Sequence, residues 1–210
     1  MRILLSVLLF SCSAALAQPA PWVLDTGKSE LVVKVWKTGA AAGLAHDHVV
    51  RASKFEGKVV DLDDSGKIET LALELKVDVA GLVPDEPEVR KRYGVTGPAV
   101  PDSDREKVKE NMLGAEQLDL KRFPTMSFRS TRVYREESGV IECEGDLTMH
   151  GVTKPVVFPL TVKTGDRLME GDAKFRVRTS DFGVKPYSAA LGLIKNRDEV
   201  EFVLHVVVSR

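Results

Sequence analysis

The chain has 210 residues, and its 30 Lys and Arg nearly balance 31 Asp and Glu, for a formal net charge of −1. With both signs interspersed, that balance offers no basic footprint for nucleic acid or for an anionic membrane surface. The length suits one domain with its own apolar core, and the two cysteines, Cys12 and Cys143, are too few to staple a fold.

The N-terminus reads as a targeting segment. Met1-Arg2 is a minimal positive region, Ile3 to Phe10 is an uncharged apolar run, and Ala15-Leu16-Ala17 has the small-x-small form of a signal-peptidase site. The division expected is a signal peptide over 1–17 and a domain over 18–210, with export to the periplasm. Ser11-Cys12 raises a rival, lipoprotein processing. Removal of the leader leaves Cys143 as the only cysteine, so stability rests on packing. Its alternation with Ile141, Leu147 and Met149 places it inside as a small apolar residue.

Beyond the leader, nearly every segment has the period of a strand. Leu31, Val33 and Val35 alternate with Val32, Lys34 and Trp36. Phe55, Gly57 and Val59 alternate with Glu56 and Lys58. Leu71, Leu73, Leu75, Val77 and Val79 alternate with Ala72, Glu74, Lys76 and Asp78, the cleanest half-buried strand of the chain. Turn chemistry separates them at Asp63-Asp64-Ser65-Gly66, Glu137-Ser138-Gly139 and Thr164-Gly165-Asp166.

From Gly81 to Arg122 the alternation stops. Pro84, Pro87, Pro98 and Pro101 mark irregular chain, and Asp102 or Ser103 is placed to cap a helix running through Arg105 to Leu113. Gly114 ends it, and Ala115 to Leu120 suggests a second short turn. A strandless stretch this long is usually functional or covers something.

Gly145-Asp146-Leu147-Thr148-Met149-His150-Gly151-Val152-Thr153-Lys154-Pro155-Val156 reads as strand, tight turn and strand, with Gly151 supplying the turn's freedom. Many short antiparallel strands mean a sandwich or an up-and-down barrel, which periodicity does not separate.

This hairpin closely resembles the signature of the YceI-like family, periplasmic lipid-binding proteins with a lipocalin-like barrel. Three other segments fit in order: Trp22-Val23-Leu24-Asp25 with Lys28-Ser29, Phe123 to Ser130, and Arg178-Thr179-Ser180-Asp181-Phe182-Gly183-Val184; the last strand, Asp198 to Val208, also matches. The resemblance implies an all-β, lipocalin-like antiparallel barrel of about eight strands with a short loop-helix insertion across one end. It also implies an elongated cavity for an isoprenoid or acyl tail.

Few residues tempt a chemical reading. His46 and His48 lie two apart, so on a strand they point the same way, and imidazoles ligate zinc, copper or nickel. A closed site needs more ligands, and nothing in the spacing of His150, His205 or the carboxylates says that they converge. The bland alternative is a pair of polar residues at a strand entrance. His150 reads as a turn residue bonding backbone, with a head-group role as the alternative, and Asp181 reads as a turn residue accepting backbone hydrogen bonds. Arg176 and Arg178 face away from Phe175 and Val177, toward solvent. No nucleophile motif, phosphate loop or paired-cysteine spacing is present, so no enzyme activity is expected.

The inward parity gathers Leu71, Leu73, Leu75, Met126, Phe128, Ile141, Leu147, Met149, Phe158, Leu160, Phe175, Phe202 and Leu204. They either fill the barrel or line a tail site. The function expected is sequestration or carriage of an amphiphilic lipid: a polyisoprenoid such as a quinone or prenyl phosphate, or a fatty acid or amide. His46, His48 and His150 would stand at the mouth. No cofactor beyond a bound lipid and no nucleic-acid partner are expected. The donor membrane or protein and a homodimer are left open, and a metal-binding protein using His46 and His48 is the alternative.

Overall fold

The structure is a computed structural model describing residues 22–61, 67–165 and 167–210. The expected leader, the processing rival at Cys12, the turn at Asp63 to Gly66 and Asp166 lie outside the described residues. Twelve strands and two helices follow in order: β1 (Trp22–Leu24), β2 (Glu30–Thr38), β3 (His48–Ala52), β4 (Phe55–Asp61), β5 (Leu71–Asp78), β6 (Leu82–Pro84), α1 (Pro87–Arg92) and α2 (Asp102–Leu113). Then come β7 (Thr125–Arg135), β8 (Ile141–Met149), β9 (Val152–Thr164), β10 (Leu168–Arg178), β11 (Ser188–Ala189) and β12 (Ile194–Ser209).

Antiparallel pairing runs β4-β5-β7-β8-β9-β10-β12, then on through β2 and β3 to β6. β1 closes the ring, pairing Trp22 with Val59 of β4 and Leu24 with Val208 of β12. Three strands of the ring are broken in two: β1 with β2, β3 with β4, and β5 with β6. The result is a closed eight-stranded barrel. Closure settles what the alternating pattern leaves open, because it removes the free edges that a sandwich keeps.

The β8–β9 connection is a two-residue turn, with His150 and Gly151 both at positive φ (52° and 74°) and Met149 paired with Val152. This is the mirror-image turn whose twist matches antiparallel strands. A Cβ on Gly151 would come within 2.4 Å of the Phe123 ring, so glycine is needed twice over.

The helical region departs from expectation in three ways. α2 starts at Asp102, after Pro101, and no side chain caps it, so Asp102 and Ser103 lie inside its first turn. The fixed φ of proline does the positioning there, and Asp102 and Asp104 complement the positive end of the helix. β6 and α1 have no counterpart in the periodicity. α1 covers the outer face of the sheet: Val89 packs on Val32 and Val49, which point away from the interior yet are buried. Arg51 holds Glu86 with two hydrogen bonds (2.7 and 2.9 Å), while Arg92 and the Tyr93 hydroxyl both reach Glu30.

Candidate ligand cavity

The barrel interior is divided. Phe128, Phe158, Phe175 and Phe202, from β7, β9, β10 and β12, form a row with successive ring centroids 5.5, 4.5 and 5.1 Å apart. The last two contacts are stacked, with interplanar angles of 9° and 6°. Phe202 faces a cavity of about 500 Å³ at the end that carries His48 and Met149. Phe158 faces a void of only about 70 Å³ toward the other end. The aromatic row is therefore a floor.

The large cavity has apolar walls from Val33, Val35, Val50, Met126, Met149 and Val200, and α2 crosses its mouth, contributing Lys107, Val108, Asn111 and Met112. His46 and His48 both line it, His48 from the start of β3 and His46 from the irregular chain before it. Asp47 between them turns away, its carboxylate accepting from the Lys37 backbone N–H at 2.9 Å.

His48 is held from behind by a group the sequence reading missed. Asp85 follows β6 at φ 54° and is fully buried (0 % exposed). Its Oδ1 accepts from the Val49 N–H (3.1 Å) and from Arg90 Nη1 (2.7 Å), and its Oδ2 meets His48 Nδ1 at 2.6 Å. Burial by itself would raise the Asp85 carboxyl. The His48 hydrogen bond and charge, the Val49 N–H and Arg90 together outweigh it and hold the group below its ordinary value. With Asp85 ionised, Nδ1 carries the proton, so Nε2 is the ring nitrogen left for a ligand. Arg90 is itself buried (5 % exposed) and also donates to the Asp47 carbonyl at 2.7 Å. An aspartate after a proline in irregular chain has no periodic signal; only the fold brings it behind His48.

The other candidates separate. Met126, Met149 and Phe202 line the large cavity. Leu71, Leu73, Phe158, Leu160 and Leu204 surround the small void. Leu75, Phe128, Leu147 and Phe175 pack between them in the core, and Ile141 packs against the same cluster. Cys143 is 2 % exposed beside the small void, and burial pushes its thiol up to about 12. His150 is not among the cavity's lining residues: its Nδ1 stands 3.3 Å from the Phe182 carbonyl and its ring packs on Phe123. At the neighbouring turn the accepting carboxylate is Asp198 rather than Asp181; it takes hydrogen bonds from Thr179 Oγ1 and from the Ser180 N–H and hydroxyl. Arg176 is not simply solvated, since it stacks on Trp36 and pairs with Glu199 and with the buried Glu201.

Among the described residues, no group of three or more His, Cys, Asp or Glu side chains stands close enough together to hold a metal ion. His205 is engaged by Asp172 at 2.7 Å, away from His46 and His48.

The family profile described as the YceI-like domain matches residues 22–208, the whole of the barrel. The chain belongs to the YceI-like family. Among curated relatives, UPF0312 proteins of Pseudomonas putida are 35% identical over 82 residues, 36% of this chain and 43% of theirs. One from Vibrio cholerae is 38% identical over 56 residues, 27% of this chain and 30% of its own. The matched stretches thus span less than half of these relatives' length. Among solved structures, Burkholderia cenocepacia BcnA superposes with a TM-score of 0.64 at 18% identity, covering 88% of this chain and 98% of that one. The Campylobacter jejuni YceI protein gives 0.56 at 14% identity, covering 77% and 84%. At such identities the likeness establishes the fold alone, the YceI-like barrel.

Proposed function

We propose that this protein is an exported carrier of an amphiphilic lipid, with the tail in the large cavity and the head beside His46 and His48. The observation that carries the reading is an apolar hollow of about 500 Å³ above a floor of phenylalanines in a closed barrel. Typical small-molecule sites occupy about 300–1,000 Å³. At roughly 30 Å³ per carbon-sized group, such a hollow holds about sixteen groups. A medium-length acyl tail or a prenyl tail of about three isoprene units suits that capacity. A much longer polyisoprenoid would have to displace the floor.

Each buried methylene contributes about 0.8 kcal/mol, so a dozen contribute about 10 kcal/mol before ordering costs. The tail thus supplies affinity with little discrimination among chemical types. Discrimination falls to the head: with the ring proton on Nδ1, His48 Nε2 can accept from a hydroxyl or amide N–H, and only as the imidazolium can it donate to a carboxylate, a phosphate or a quinone carbonyl. Native mass spectrometry of protein recovered from an exporting bacterial host, followed by denaturing extraction, tests the reading. A stoichiometric acyl or prenyl adduct supports it. Protein that arrives empty and takes up neither fatty acids nor quinones contradicts it, and a metal-sized mass would favour a metal-binding protein.

A further inference from the structure

The rim beside the cavity carries leucines that the fold leaves bare. Two turns meet there: Gly39 to Ala45 after β2, and Ala190 to Leu193 before β12. The Ala41 N–H donates to the Leu193 carbonyl at 2.9 Å, and that carbonyl lies so close to Gly39 that a Cβ there would stand 2.4 Å from it. Leu44 is 81 % exposed, Leu193 51 % and Leu191 107 %. Leu44 also lines the cavity, as does Ile194, the residue after Leu193.

The backbone at the second turn is unusual. Ala190, Leu191 and Gly192 all have positive φ (49°, 54° and 87°). A leucine rarely adopts that region, and a strained residue persists only where the surrounding structure holds it. Here the hold is the β11–β12 hairpin, in which Ser188 pairs with Lys195 and Ala189 with Ile194. The turn thus throws Leu191 off the body of the barrel.

Exposed cations surround these leucines. Lys185 and Arg197 line the mouth, and Lys195 follows Ile194; among the described residues none of the three has an ion-pair partner. Asp104 is paired with Lys107, while Asp198, hydrogen-bonded by Thr179 and Ser180, and the exposed Asp181 remain anionic, so the three cations face two carboxylates. The overall charge balance of the chain hides this local excess.

We infer that this rim docks on the surface of an anionic phospholipid bilayer, Leu44, Leu191 and Leu193 entering the interface while Lys185, Lys195 and Arg197 meet the headgroups. Three splayed leucines are far below the apolar area of a stable protein interface, about 1,000 Å². Apolar side chains flanked by cations match the two contributions that hold a peripheral protein on anionic lipid. Docking there sets the mouth of the cavity against the layer from which an amphiphile would enter. The inference extends the carrier reading, but docking is measured without any ligand, so each can fail alone.

The test is sedimentation with vesicles of phosphatidylcholine, with and without 30% phosphatidylglycerol (about a third of the lipid, enough to set an anionic surface), using protein processed by an exporting host. Wild type is expected to bind the anionic vesicles. Leu44→Ser with Leu191→Ser should lower the partition coefficient by about tenfold or more, since each leucine loses its burial. Neutralising Lys185 and Lys195 to Gln should cost roughly fivefold per charge, and only on anionic vesicles. Val157→Ser, at an apolar residue of β9 that is 55 % exposed away from the rim, should change nothing. Absence of binding by wild type, full binding by the leucine double variant, or equal loss in Val157→Ser would each overturn the inference. So would a dimer in solution that Leu191→Ser dissociates, which would assign the rim to a second copy.

Discussion

The upper and lower halves of the barrel share the same strands but not the same interior. Above the phenylalanine row the walls mix Val33, Val35, Val50, Met126 and Met149 with His46, His48, Asn196 and Arg197, α2 lies across the end, and about 500 Å³ stays open. Below it, Leu71, Leu73, Leu160, Met169 and Leu204 reach the axis and leave about 70 Å³, space for about two water-sized groups. Valines line both halves, and what separates them is that only the upper lining also carries polar and charged side chains.

That difference can be attacked at its boundary. Phe158→Ala should cost about 3–5 kcal/mol by losing the ring and enlarging the lower void, and it should let the protein accept longer tails. Chemical denaturation with a tail-length series measures both. If stability falls and the length limit does not move, the row is core and not floor.

Asp85→Asn probes the upper half from behind. It leaves the buried Arg90 without its counter-charge and should cost about 3 kcal/mol, as removal of one member of a buried pair does. The sign of its pH dependence is fixed. The folded carboxyl lies below its usual 3.8, so its contribution is complete above that value and is lost as pH falls through the lowered one. Denaturation midpoints of wild type and Asp85→Asn should therefore run parallel from pH 7 to about 4 and fall more steeply for wild type below it.

Two milder changes separate site from core. Val35→Trp fills the upper cavity from its wall; binding should drop at least about tenfold while stability changes by roughly 1 kcal/mol, read by titration and by thermal unfolding. Gly171→Ala adds a methyl beside the lower void, where the new Cβ would meet nothing nearer than Leu160 at 3.7 Å. It should stabilise by about 0.5–1 kcal/mol and leave ligand binding unchanged.

The sequence showed the strands well because each keeps one face inward. The alternation of Leu71 to Val77 and of Ile141 to Met149 survives in the pairing, and the His150-Gly151 turn sits where the glycine indicates. It could not tell hollow from filled, because Val33 and Leu71 are equally apolar letters and only the cross-section of the barrel distinguishes them. It also missed α1, a short helix whose single buried apolar residue, Val89, carries no period. Asp85 and Arg90 escaped for a related reason. A buried ion pair is formed by residues that look like solvated ones until the chain folds over them. Of the three histidines expected at the mouth, His46 and His48 line the cavity, but His46 lies in the irregular chain before β3, so strand parity does not account for it. His150 belongs to a turn whose geometry, not its chemistry, uses the position.

The measurement that bears most directly on a hollow upper half with a closed floor is affinity against tail length. Saturated fatty acids of increasing length and prenyl phosphates of increasing isoprene number would be titrated by native mass spectrometry. Affinity should climb with each added carbon up to about sixteen and then level or fall, the limit set by the cavity. Affinity that keeps climbing well past that length, or equal uptake of very long polyisoprenoids, would show that the phenylalanine row does not bound the site.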